Sequence, residues 1–241
     1  MDGWKVQALN LGARDYGEND KLITLCTHEN GTVTALMKGV KKAGAKLKFA
    51  AQPFCLGEYM LSRRGELYLV TGCTSLADFR ELQELPESFF AGCCVLEICG
   101  LFVQKNQESR LLPDTLRALS SLCERPGADL SVLVAYLYRA LALSGYGLNP
   151  DICQQCGGST GSRTRFSERR GITCAVCGGG RPLGPGEKQI LSALSQDDID
   201  SFCTRDFSVE ELKGIFRMLC NFVYLQTDRV LKSAKQYLAL I

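Results

Sequence analysis

Histidine is almost absent from this sequence, whose 241 residues contain one, His28. A Ser/His/Asp triad and a catalytic zinc site with histidine ligands are therefore disfavoured, since His28 lies in a predicted hairpin turn. A phosphate-binding P-loop and the His-x-Glu, Pro-Cys-x-x-Cys pattern of zinc deaminases are also absent. The sequence thus indicates a protein without an enzymatic active site.

Long apolar runs and a strong charge imbalance are absent as well. No uninterrupted hydrophobic segment is long enough to span a bilayer, and Met1–Lys5 does not have the character of a signal peptide. The formal net charge is +2, so any interaction with nucleic acid must depend on local clusters of charge. We therefore expect a soluble, cytoplasmic protein that does not associate with membranes.

Cysteine, in contrast, is abundant, with 13 residues. The odd number, the chain length and the lack of a signal peptide all argue against a disulfide framework. Nine cysteines lie outside one cluster, mostly in apolar contexts, and are best interpreted as small buried hydrophobic residues.

The remaining cysteines form two C-x-x-C pairs separated by 17 residues, which is the spacing of a structural zinc site. Glycines follow both pairs, as suits turns that fold back toward bound sulfurs. Four thiolates complete a tetrahedral shell and leave no position for water or substrate. We predict one structural Zn²⁺ held by Cys153, Cys156, Cys174 and Cys177. Paired disulfides or inert thiols are the alternatives.

The first eighty residues have the pattern of a small β domain. The predicted strands are residues 4–11, 21–27, 32–38, 53–62 and 66–73. An Asn30-Gly31 step favours a tight hairpin turn between the second and third of them. Short strands at this spacing predict a barrel of the OB type, because closure removes the exposed edges of so small a sheet.

From Pro86 onward the hydrophobic period is helical. The predicted helical stretches include residues 89–102, 116–122 and 130–143, the last of which is apolar on most sides and should cross a helical core. A capping box at Ser208–Glu211 starts the last helix, and we expect a break near Asp228. Its stripe from Leu212 to Val223 either closes the core or docks a partner.

Together these patterns predict an α+β protein. An OB-fold DNA-binding domain is expected over residues 1–80, followed by a helical domain over 81–241. The helical domain is interrupted by a Cys₄ zinc-binding module over 149–185, which has too little apolar content to fold without metal.

A lysine-rich segment follows the third predicted strand. It has two glycines and no acidic residue, so we expect a mobile loop that neutralises phosphates without reading sequence. Its lysines are Lys38, Lys41, Lys42, Lys46 and Lys48. Nearby aromatics are possible stacking platforms for bases, although alternation places most of them in the core: Phe49, Phe54, Tyr59 and Tyr68. A solubilising surface loop is the alternative.

A second basic cluster lies between the cysteine pairs and consists of Arg163, Arg165, Arg169 and Arg170. In a zinc hairpin this interval protrudes, and guanidinium groups there could bind phosphates bidentately. A solvated β-turn is the alternative.

The chain resembles the bacterial recombination mediator family RecO, in which a barrel, a helical core and an inserted Cys₄ site follow one another in the same order. The matching segments are YGENDKL at 16–22, THENG at 27–31, KGVKK at 38–42, QPF at 52–54, GYGLNP at 145–150 and LKSAK at 231–235. The resemblance implies no enzymatic activity. It implies a protein that binds single- and double-stranded DNA and anneals complementary strands. With a partner called RecR, such a protein helps to load RecA recombinase onto strands covered by single-strand-binding protein.

The same resemblance assigns the family's basic barrel surface to the five lysines above, with Arg14 as a further candidate. This chain departs from the pattern at Ala43–Ala45, where many members have further basic residues or a proline. The implied location is the cytoplasm, at the bacterial nucleoid. The alternative function is a zinc-ribbon adaptor or transcription factor that acts mainly through protein contacts.

Overall fold

The computed structural model describes residues 3–65, 67–127 and 129–241. Glu66, the expected first residue of the fifth strand, lies outside the described residues. Contacts divide the chain into two compact units, one of Met1–Leu85 with Leu96–Leu116 and the other of Pro86–Val95 with Arg117–Ile241. The domain boundary at residue 80 stays a prediction. Within the described ranges, no helix has the length and apolar character needed to cross a membrane.

The first unit contains a closed β-barrel, as predicted. Its strands are β1 (Gly3–Tyr16), β2 (Asp20–Thr27), β3 (Gly31–Met37), β4 (Leu56–Arg64) and β5 (Leu67–Ala77). The neighbour order around the barrel is β1-β2-β3-β5-β4, and β4 pairs with β1 to close it. The β3–β5 pairing is parallel, whereas the other described pairings of the barrel are antiparallel. The structure therefore confirms a barrel of the OB type.

Strand alternation fills the barrel interior. Along β3, Val33, Ala35 and Met37 are buried, while the residues between them are half-buried. The connection from β3 to β4 adds Val40 and Ala50 to the same core. The first strand extends beyond the predicted residues 4–11, because a register shift between Asn10 and Gly12 bends it so that it continues around the barrel.

The helices follow the barrel. They are α1 (Pro86–Phe102), α2 (Leu112–Glu124), α3 (Asp129–Leu143), α4 (Pro185–Gln196), α5 (Ile199–Cys203), α6 (Val209–Thr227) and α7 (Lys232–Leu240). In the second unit, α3 is buried on most sides and contacts α5 and α6. This confirms that the most apolar predicted helix crosses the helical core.

The start and end of α6 agree with the sequence pattern. The Ser208 hydroxyl accepts a hydrogen bond from the backbone N–H of Glu211, whose carboxylate accepts one from the backbone N–H of Ser208. Asp228, in the left-handed conformation with φ 54°, ends the helix. The apolar stripe from Leu212 to Val223 is buried, so it closes the core and is not a free docking surface.

Candidate metal centre and nucleic-acid interface

The two cysteine pairs lie on matching turns in the second unit. Short strands accompany them: β6 (Arg165–Ser167), β7 (Gly171–Thr173) and β8 (Arg181–Pro182), in the order β7-β6-β8. The backbone N–H of Gly157 donates to the carbonyl of Cys153 at 2.8 Å, and that of Gly178 to the carbonyl of Cys174 at 3.0 Å. Both glycines have positive φ, 71° and 63°, which folds each turn back toward its sulfurs.

The four sulfur atoms converge on one point. All four Sγ atoms lie within 4.8 Å of one another, and those of Cys156 and Cys174 are 4.0 Å apart. A tetrahedral shell with Zn–S bonds of about 2.3 Å places its sulfurs about 3.8 Å apart, so a small contraction would close the cluster on one ion. The four cysteines could therefore hold a metal ion.

The electrostatics of the cluster also suit a cation. Desolvation opposes ionisation of Cys153, but backbone hydrogen bonds such as those from Cys174 and Cys156 outweigh it and lower its pKa to about 6. Hydrogen bonds with Cys156 and Cys174 raise the pKa of Cys177 to about 12. Neighbouring thiolates repel each other, and a divalent cation would offset that repulsion and favour ionisation of the whole set.

Gln154 ties the first turn to β7. Its Oε1 accepts from the backbone N–H of Ile172 at 2.7 Å, and its backbone N–H donates to the Ile172 carbonyl at 2.9 Å. A Cβ atom at Gly171 would lie 1.7 Å from this Oε1, so the contact requires glycine. The sequence reasoning missed Gln154, and the only signal for it was its position inside a C-x-x-C pair.

On the barrel, the lysine-rich segment is a series of hydrogen-bonded turns. Val40 is buried in the barrel core. The backbone N–H of Gly39 donates to Asp20 Oδ1 at 2.7 Å, and that of Lys41 donates to the Asn19 carbonyl at 3.0 Å. The expected mobile loop is thus an ordered surface segment, because these contacts with β2 and the preceding turn fix its path.

All five lysines of this segment are exposed, and they differ in their partners. The Lys41 ammonium lies 2.7 Å from the Asp15 carboxylate, and this hydrogen bond lowers the pKa of Asp15. The Lys48 ammonium donates to the Ala43 carbonyl at 3.1 Å. Among the described residues, the remaining three form no ion pair: Lys38, Lys42 and Lys46. Most of the positive charge is therefore available to a ligand.

A surface pocket of about 390 Å³ adjoins the segment and is lined in part by Lys41, Lys48 and Lys21. The sequence reasoning missed Lys21, which pairs across β1 and β2 with Asp15. Arg14 pairs with Leu22 in the next row, so it points to the opposite face of the strand from Asp15. The structure therefore adds Lys21 to the basic surface and separates Arg14 from the Lys41–Asp15 pair.

The nearby aromatics separate into core and surface positions. Phe54 and Tyr59 are fully buried, and Tyr68 is half-buried with its ring centroid 5.5 Å from that of Trp4. Phe49 is 38% exposed and directly follows Lys48. Of the four proposed stacking residues, Phe49 is thus the one whose ring is accessible beside the lysines.

The arginines between the cysteine pairs also have different environments. Arg165 donates to the carbonyls of Gly180 and Gly179, at 2.7 and 3.4 Å, and these hydrogen bonds connect β6 to the residues that precede β8. Arg170 donates to the side-chain carbonyl of Gln155 at 3.0 Å. The exposed side chains of Arg163 and Arg169 form no ion pair within the described part of the chain.

Comparison with known proteins covers both units. Residues 1–79 match the family model described as recombination protein O N terminal, and residues 87–235 match recombination protein O C terminal. DNA repair protein RecO of Pelotomaculum thermopropionicum is 32% identical over 204 residues, 80% of this chain and 77% of that protein. Its counterpart in a Nocardioides species is 28% identical over 245 residues, 95% of this chain and 97% of that protein. The chain therefore belongs to the recombination protein O (RecO) family of DNA repair proteins.

Proposed function

We propose that this protein is a non-enzymatic recombination mediator that binds single- and double-stranded DNA and anneals complementary strands. The observation that carries the proposal is the lysine surface, defined as Lys38, Lys41, Lys42, Lys46 and Lys48, which an ordered segment presents on a barrel of the OB type. Barrels of this kind hold single strands in a basic groove.

Lysine suits a ligand of varying sequence. Each ammonium group is a compact point charge that attracts phosphate oxygens without distinguishing the bases. Phe49 offers an exposed ring on which a base could stack, and stacking also tolerates any base. Annealing brings two polyanions together, so a surface that neutralises phosphates lowers their mutual repulsion. The basic surface thus accounts for both activities without a catalytic group.

The proposed cofactor is one structural Zn²⁺ bound by Cys153, Cys156, Cys174 and Cys177. A closed shell of four thiolates supplies folding free energy and offers no open position for catalysis. Elemental analysis of the purified protein should find about one zinc per chain. Protein without zinc, with a disulfide between these cysteines in the mass spectrum, would contradict this assignment.

Membership of the family supports the proposed partners, which are RecR, single-strand-binding protein and, indirectly, RecA recombinase at the bacterial nucleoid. The arginines Arg14, Arg163, Arg165, Arg169 and Arg170 remain proposed DNA contacts. Arg163 and Arg169 are the better candidates of the cysteine module, because Arg165 and Arg170 already donate to groups of the chain.

Fluorescence anisotropy with labelled single strands at two salt concentrations tests the proposal. Binding through several lysines should weaken steeply as salt rises, since each phosphate contact releases counterions. Lys105→Ala removes an exposed lysine of the same unit outside the lysine surface and is the matched control. The alternative, an adaptor with a mainly apolar protein interface, predicts weak strand binding with no steep salt dependence.

A further inference from the structure

The second unit contains a groove of about 890 Å³ between the β6–β7 hairpin, β8 and α6. We call it the arginine groove, after the arginines that line it: Arg169, Arg170, Arg181 and Arg217. It is within the usual size range of ligand sites, about 300 to 1,000 Å³. Arg181 and Arg217 lie outside the basic cluster that the sequence suggested, and the fold adds them to it.

The arginine groove has an excess of positive charge. Arg181 is neutralised by Glu187, with its Nη1 2.7 Å from Oε2. Glu168 is the acidic residue of the lining. The exposed side chains of Arg169 and Arg217 form no ion pair among the residues that the structure describes. Four arginines and one glutamate thus line the groove, and even with Arg181 paired to Glu187 the groove retains a charge suited to an anion.

Gly214 keeps the groove open on the side of α6. Glycine is less favourable than alanine inside a helix, yet Gly214 lies within α6 and lines the groove. A Cβ atom at this position would meet no atom within 4 Å. The chain's own packing therefore does not require glycine here. A side chain longer than the methyl group of alanine would instead occupy the groove beside Arg217.

The composition of the groove favours phosphate over a base. Its apolar floor, Phe166 and Met218, is 3% and 7% exposed, so neither side chain offers a stacking face. Guanidinium groups match the geometry of phosphate oxygens and bind them bidentately. The groove should therefore hold a nucleic-acid backbone without choosing its sequence.

We propose that the arginine groove is a second strand-binding site, which holds one strand by its phosphates while the lysine surface holds another. This inference rests on the proposed function, because it supplies the second strand that annealing requires. Two strands bound to one chain have a raised effective concentration for each other. The two sites share no residue, so substitutions can remove them independently.

Gly214→Leu and Gly214→Ala form a matched test. Both replacements improve helix propensity, and the Cβ atom that each adds meets no atom within 4 Å. Only leucine extends a side chain into the groove. Isothermal titration with single strands of about ten nucleotides, a length typical of one site, counts the strands bound per chain. We expect two for the wild type and Gly214→Ala, and one for Gly214→Leu. Annealing by Gly214→Leu should be slower, while its circular dichroism is unchanged.

Arg217→Gln provides a second variant that leaves the shape of the helix intact. It should weaken binding of the second strand and reduce the salt slope of that binding by about 0.7, the contribution of one phosphate contact. Arg229→Gln, which removes an exposed arginine of the same unit outside the groove, should change neither.

Two strands bound by Gly214→Leu, together with a second binding event of wild-type affinity and salt slope in Arg217→Gln, would overturn the inference. So would selective loss of polyglutamate binding in these variants, because the groove would then be a site for acidic protein segments. The combined Lys38→Ala and Lys42→Ala variant separates the two proposals. If it binds both strands with the wild-type affinity and salt slope, the lysine surface fails as a DNA site, whereas the groove variants test the arginine groove independently.

Discussion

The partners of the lysines predict unequal contributions to DNA binding. Lys38 and Lys42 have no ion pair in the described parts of the chain, whereas Lys41 is bound to Asp15 at 2.7 Å. Each phosphate contact with a single strand contributes about 0.7 to the slope of log affinity against log salt. Replacing Lys38 and Lys42 together by alanine should thus lower that slope by about 1.4, or by about 1.8 with duplex DNA.

The size of this effect is measurable. When salt rises from about 50 to about 200 mM, the wild type should lose about sevenfold more affinity than the double variant, because their slopes differ by about 1.4. The fold should survive, because exposed substitutions change the free energy of unfolding by about 0.5 kcal/mol or less. Lys41→Ala alone should have a smaller effect, since Asp15 already compensates its charge.

Asp15→Asn is the opposite perturbation. It removes the carboxylate from Lys41, so the freed ammonium should add about one contact and steepen the salt slope by about 0.7. Anisotropy titrations with the same labelled strand at four salt concentrations would measure all these slopes. If Asp15→Asn weakens binding, or if the double lysine variant keeps the wild-type slope, the assignment of the phosphate contacts to this surface is refuted.

Other predictions concern the metal module and the helical core. Cys174→Ser should abolish zinc binding and lower Tm by about 10 °C, as measured by elemental analysis and calorimetry, because the proposed metal would supply folding free energy. Gly171→Ala should displace Gln154 and weaken metal affinity by about tenfold or more in a chelator competition, while Gly214→Ala should not. Burial raises the pKa of Asp129, and its Oδ1 has no hydrogen-bond partner within the described residues. Asp129→Asn should therefore raise the free energy of unfolding by about 1 kcal/mol at neutral pH. In denaturant titrations this gain should shrink as pH falls toward the ordinary Asp value of 3.8, because the wild-type carboxyl is then protonated.

Local sequence signals predicted much of the fold. The Asn30-Gly31 step lies at the β2–β3 turn, the capping box at Ser208 precedes α6, and the C-x-x-C spacing marked cysteines whose sulfur atoms converge. Each of these features is determined by residues close together in sequence, so pattern and spacing were sufficient to identify it.

Non-local contacts explain what the sequence did not predict. The order of the lysine segment depends on Asp20, and the partial neutralisation of Lys41 depends on Asp15 in a different strand. The arginine groove needs Arg217, which belongs to a helix far along the chain from the hairpin that carries Arg169. No periodicity or motif indicates which distant side chains the fold will bring together.

The parallel pairing of β3 with β5 has a consequence for the dynamics of the barrel. Among the described residues it consists of two residue pairs, Ala35 with Tyr68 and Leu36 with Leu69, whereas the β2–β3 ladder runs along the whole of β3. A short ladder has few hydrogen bonds to break, so amide hydrogens there should exchange with solvent through local opening before those of β2. The lysine segment begins directly after β3. A DNA strand bound by Lys38 would therefore oppose the local opening of the β3–β5 pairing. DNA binding would then slow amide hydrogen exchange along the β3–β5 pairing, at a distance from the bound phosphates.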